Sequence, residues 1–160
     1  MVKSENYTSS LMFGVQWDLV LKYLETKGTA QADLKTNSTS WGNYLNNLWN
    51  ITNANSKYAI LNTSNSTLGD WTSGAYGAKG SSKSIILSTG ASDTFSKQGI
   101  YDLAGNVFEW TLEYTSYSST PCANRGGSYS YTGSSYPAAG RYNSGTTGCG
   151  YNVGFRVALY

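Results

Sequence analysis

Apolar residues recur at helical spacing near the start of the chain: Phe13, Trp17, Val20, Leu21 and Leu24 fall on one face, while Asp18, Lys22 and Glu25 fall elsewhere. The spacing predicts a helix over residues 11 to about 25, capped by Ser10 and stopped at Gly28, with Trp17 in the core. Residues 30–34 add a helical turn. After Trp41-Gly42-Asn43-Tyr44, the positions of Leu45, Leu48 and Trp49 suit one short turn or a packed loop. From 52 to 99 only 58–61 and 84–88 read as strands; Ser, Thr, Asn and Gly clusters between them read as loops. Loops of that length need pinning by buried aromatics, for which Trp71 and Tyr76 are the candidates.

The period then changes. Val107, Glu109 and Thr111 alternate with Phe108, Trp110 and Leu112, as in a strand with one buried face. Ala104-Gly105-Asn106 before it is a turn, residues 123–128 start another strand, and 153–160 form a last one, paired centrally. With the clear helix early and the sheet late, the fold class is α+β, in one domain over residues 1–160. Trp110 and Phe155 are expected as core aromatics whose truncation costs roughly 3–5 kcal/mol. Between Tyr129 and Asn152 the pattern stops. That segment holds no Asp, Glu, Lys, Gln, His, Met, Trp, Phe, Leu, Ile or Val, so it lacks the aliphatic side chains to make a core of its own. Both its ends run into apolar, strand-like residues.

Composition sharpens this. Charged residues are 12% of the chain, about half the usual share, while there are 18 Gly and 14 Tyr, which suggests a loop-rich protein exposed on a virion or outside a cell. A net charge of +2 gives no basis for nucleic acid. Every Lys lies at or before Lys97, and no acid follows Glu113. No apolar run is long enough to span a membrane. The N-terminus does not resemble a signal peptide, and a chain that opens so close to a helix reads as trimmed or lacking an N-terminal portion. Cys122 and Cys149 form one bridge or none. Asn-X-Ser/Thr triplets at Asn6, Asn37, Asn50, Asn62 and Asn65 follow from the composition.

Three motifs stand in order: Gly99-Ile100-Tyr101-Asp102-Leu103-Ala104-Gly105-Asn106-Val107-Phe108-Glu109-Trp110, then Arg125-Gly126-Gly127-Ser128-Tyr129, then Gly154-Phe155-Arg156. Together they resemble the formylglycine-generating, sulfatase-modifying domain, a variant of the C-type lectin fold. The resemblance implies that fold, and covers roughly residues 99–160. Enzymes of that family hold copper with a cysteine pair just after the Arg-Gly-Gly-Ser motif and oxidise a substrate cysteine. Aligned on the motif, those positions fall at Tyr131 and Tyr136, while Cys122 precedes the motif and Cys149 lies far beyond it. Tyrosine does not supply the thiolates of a soft-metal site. With no His in the chain, a Ser-His-Asp triad and a His-rich zinc site are excluded, so an enzyme is not expected.

The chain also resembles the variable proteins of diversity-generating retroelements, which end this fold in such a segment. There, randomised adenines turn Asn codons into Tyr, Ser, Gly, Thr, Asp, Cys or Asn, among others, and never into Lys, Gln, Glu, Met or Trp. All five are absent from 129–152. The resemblance implies a receptor-recognition protein on a phage tail or a bacterial surface, with a protein or cell-surface ligand. A non-varying lectin-like adhesin is the alternative, and an oxidase lacking the usual cysteines a further one.

The residue types agree with binding. Paratopes favour Tyr for contact area at low entropy cost, and Ser, Gly and Asn for adaptable hydrogen bonds. Tyr129, Tyr131, Tyr136, Tyr142 and Tyr151 are the expected anchors, with Tyr129 equally suited to packing on the scaffold. Ser130, Ser135, Asn143, Ser144 and Asn152 are the polar complement, and Arg141 a hot spot. Pro137, Ala138, Ala139, Thr146 and Thr147 shape the backbone. No cofactor is expected beyond a structural calcium, which the resemblance places at Asn106 and Glu109, the other reading being a turn-capping Asn and a Glu paired with Arg125 or Arg156.

Overall fold

The computed structural model describes residues 2–3, 8–64 and 66–159. Few helices and many short strands make a mixed α+β fold. Helix α1 is Gly14–Thr26, so it starts later than its apolar stripe suggests. Thr8–Leu11 is a strand instead, antiparallel to Val157–Leu159, and the helix N-cap is Phe13, not Ser10. The helix entry is tied by Gln16, whose Oε1 accepts from Phe13 N at 2.8 Å. Phe13 is half exposed, whereas Trp17, Leu21 and Leu24 are buried as their spacing requires. Gly28 ends the helix at a φ of +96°, which only glycine adopts without strain. A short α2, Gln31–Lys35, follows.

The region from 52 to 99 is more regular than its composition suggests. Lys57–Asn62 pairs antiparallel with Ile85–Leu87, the two strand-like patches, and also with the short strands Thr67–Leu68 and Thr72–Ser73. Trp71 is 48% exposed and pins nothing. Tyr76 does pin its loop, with ring centroids 5.3 Å from Trp49 and 4.9 Å from Tyr58.

A four-stranded sheet carries the C-terminal half, in the order Arg141–Ser144, Cys122–Arg125, Phe108–Tyr114, Val153–Phe155. The first three strands are antiparallel, and Val153–Phe155 runs parallel to Phe108–Tyr114 at the sheet's edge. The last strand is therefore not central, and it breaks at Arg156 before Val157–Leu159 leaves for the N-terminal strand. The main core lies beneath α1, where Trp17, Leu21 and Leu24 meet Leu34 of α2 and Trp41, Tyr44, Leu103, Ala104 and Ala138, which lie outside the strands. Gly126 and Gly127, at φ of +89° and +80°, let the chain pass close beneath Trp17 and Tyr44, where a β-carbon would collide.

Candidate functional site

Residues paired across strands share a face of a sheet. Glu109, Arg125 and Arg141 are paired in one row, and Phe155, Trp110, Asn124 and Tyr142 in the next. The polar row faces α1. Arg125 is buried, its guanidinium 5.8 Å from the Trp17 ring, and bonds Asp18 of α1. Arg141 bonds Asp18 at 3.0 Å and pairs with Glu113. Glu109 is buried and holds Arg156 in a two-point bond, at 2.8 Å to Nε and 2.7 Å to an Nη. Burial pushes its carboxyl above the usual range, and the Arg156 guanidinium opposes that.

The apolar row looks outward, which reverses the expectation for two residues: Trp110 is half-buried and Phe155 is 66% exposed, so neither is core. Phe108, next along the strand, is buried and forms the base of an aromatic cluster. Its ring centroid lies 5.3 Å from Tyr136, 5.6 Å from Tyr142 and 5.8 Å from Tyr131. Tyr136 stands 4.4 Å from Tyr131 and 4.6 Å from Tyr142. Burial pushes the Tyr142 hydroxyl up to about 12, and it donates to Ser135 O at 3.2 Å. No formal charge is carried by this row or by the tyrosines above it; both arginines of the sheet point the other way. The Asn124 Oδ1, buried in the same row, has no hydrogen-bond partner.

The backbone under the tyrosines is held from outside the segment. Leu45 N donates to Tyr131 O, Ser38 N to Gly133 O, and Tyr44 Oη to Tyr136 O at 2.9 Å. Trp17 Nε1 donates to Ala138 O at 3.0 Å, and Ala138 N donates to Ser38 Oγ at 2.9 Å. Ala139 N donates to Leu34 O at 2.9 Å. Among the described residues, the hydrogen bonds that tie 131–139 to the rest of the chain all end on main-chain atoms of the segment.

The expected contact residues divide accordingly. Tyr131 and Tyr151 are 40% and 54% exposed, Tyr136 and Tyr142 are half-buried with their rings on the outer face, and Ser135 is exposed. Ser130, Ser144 and Asn152 are half-buried. Tyr129 is withdrawn from the set: it is fully buried against Ala59 and Ile86, because the positive φ of the two preceding glycines turns the chain inward, and its hydroxyl donates to Tyr151 O at 3.2 Å. Arg141 is exposed, but its register places it on the α1 side with two carboxylates, away from the tyrosine cluster. Asn143 shares that side at the open edge, its Nδ2 donating to Thr120 Oγ1 at 2.5 Å. Phe108, Trp110, Asn124 and Phe155 are the outer-face residues that the sequence reading missed.

The calcium placed at Asn106 and Glu109 by the resemblance does not fit these side chains. Asn106 Oδ1 accepts from Leu87 N at 3.1 Å and Asn43 Nδ2 at 3.0 Å, and both Glu109 oxygens are taken by Arg156. That arrangement leaves no free side-chain oxygen pair for a calcium ion. At the copper position, two tyrosine rings pack on each other; Cys122 is half-buried in its strand, Cys149 is exposed, and both are free thiols. Among the described residues no three His, Cys, Asp or Glu cluster for a metal, and no helix is long and apolar enough to cross a membrane.

No curated protein and no solved structure matches the chain. A family model does match it, from residue 15 to residue 160, and so includes α1 but for its first residue, the glycine pair and the whole of the sheet just described. The chain belongs to the family of the sulfatase-modifying factor enzyme 1-like domain.

Proposed function

We propose that this protein is a recognition protein, and that within residues 129–152 the outward-facing side chains are diversified by a retroelement while the backbone stays fixed. The observation that carries the reading is the anchoring of 131–139 through main-chain atoms. A hydrogen bond to a carbonyl or an amide is indifferent to the side chain beside it, so Tyr131, Ser134, Ser135 and Tyr136 can change without loss of those bonds. The tyrosines add rigid contact area, as paratopes do. The ligand is a protein or a cell-surface group, and the place of display is a phage tail or a bacterial surface.

Two measurements test this. A library varied at Tyr131, Ser134, Ser135, Tyr142 and Tyr151 should retain the parent's cooperative melting in most members, and widespread unfolding would refute the reading. In the genome, a near-copy of the codons for residues 125–160, differing at adenines and beside a reverse transcriptase gene, should be found. A lone gene would favour a fixed lectin-like adhesin. The family also includes enzymes, so the oxidase reading has its own test: copper-dependent oxidation of a cysteine peptide by this chain would overturn recognition as its role.

A further inference from the structure

A concave site of about 280 Å³ lies beside the aromatic cluster, and two of its lining residues, Leu61 and Ser66, come from outside the C-terminal segment. Tyr131 and Ser130 line it with Tyr151 and Asn152, and the hairpin of Lys57–Asn62 and Thr67–Leu68 contributes Leu61 and Ser66. The two parts are held together below by Tyr129, which packs against Ala59, Leu61 and Leu68 and bonds the Tyr151 carbonyl. Resting on the recognition reading above, we infer that this concavity is a subsite for a single neutral hexose unit of a surface glycan.

The lining decides the ligand class. None of these side chains carries a charge at neutral pH, so nothing there offsets the desolvation of a phosphate, a carboxylate or an ammonium group. Two accessible tyrosine rings offer broad apolar faces, and a hexopyranose has an apolar face of ring C–H groups to set against them. Its hydroxyls both donate and accept, which is what Ser66 and the Asn152 amide can reciprocate. The volume suits one sugar ring and is too small for a folded peptide segment. The hairpin gives the subsite a wall outside residues 129–152.

Saturation-transfer NMR on the full chain tests this with methyl α-mannopyranoside, methyl β-galactopyranoside and N-acetylglucosamine, against glucuronate and the peptide acetyl-Ser-Asn-Gly-amide. Transfer to the ring protons of at least one neutral sugar is expected, and none to glucuronate or the peptide. Tyr151→Ala should weaken binding by about tenfold or more, as loss of an aromatic anchor does. Ser66→Gly removes the hydroxyl yet tolerates the φ of +53° at that position, and should weaken binding by about fivefold, the share of one hydrogen bond. Leu19→Ala, on the exposed side of α1, should change nothing. Transfer to no neutral sugar, transfer to the peptide alone, or full binding in folded Tyr151→Ala would each overturn the inference. The library melting test stands apart from these results, so the subsite can fail while the recognition reading survives.

Discussion

Asn106 sits at a φ of +57°, a conformation that asparagine tolerates better than most residues. Its amide is used in full view of three segments: it accepts from Leu87 N and from Asn43, and donates to Leu87 O at 3.0 Å. Asn106→Ala would leave the Leu87 N–H and C=O and the Asn43 amide short of partners in a buried place. A loss of roughly 2–4 kcal/mol is expected, read as a lower urea midpoint at unchanged slope. Asp102 is a different case. Burial raises its carboxyl to about 6, with the Gly90 N–H and Arg156 pulling it down and Glu109 adding to the rise. Between about pH 4 and 6 the folded protein therefore keeps a proton that the unfolded chain has released. Stability contributed by this group falls as pH rises through that window and is level above it. Asp102→Asn should be about 1–3 kcal/mol more stable than the parent at pH 7 and no more stable at pH 4, by denaturation at both pH values.

In the Phe108–Tyr114 strand the alternation was plain in the sequence, but which set of side chains faces the core was not. Hydrophobicity suggests Phe108, Trp110 and Leu112. The strand instead turns Glu109 and Thr111 inward, where Arg156 holds the carboxylate and the Thr111 hydroxyl donates to Glu113 and to Ala123 O. Arg156 lies far along the chain, and nothing local announces it. By contrast, α1 kept its Trp17–Leu21–Leu24 stripe, since a helix buries whichever stripe is apolar. Its start was misread because Thr8–Leu11 had a strand partner at the other end of the chain. Two truncations separate the faces. Phe155→Ala should cost less than about 1 kcal/mol, as an exposed side chain does. Phe108→Ala should cost roughly 3–5 kcal/mol, because it removes the floor under three tyrosines. Thermal melting of the pair checks both.

Across the molecule, 129–152 reads from its composition as an insert between anchors, and only part of it is one. Tyr129 and Ala138 lie in the core, and the residues that hold 131–139 come from 17 and from 34–46. Main-chain bonding leaves no trace in the composition of the segment it holds, which is why these anchors were invisible in the sequence. Ser38 carries two of them, through its N–H and its hydroxyl. Ser38→Ala should therefore release the Ala138 amide to exchange at least about tenfold faster, while the protection of α1 stays near that of the parent; equal protection at Ala138 would show that the hydroxyl bond is not limiting.

The same anchoring has a consequence for how binders from this fold would improve. A loop that is ordered by its neighbours has given up its freedom during folding, before any ligand arrives. Replacing its side chains leaves that entropy unchanged, so each new sequence meets its target from the same ordered starting point. Differences in affinity among such sequences should then be carried by how long complexes last and far less by how fast they form.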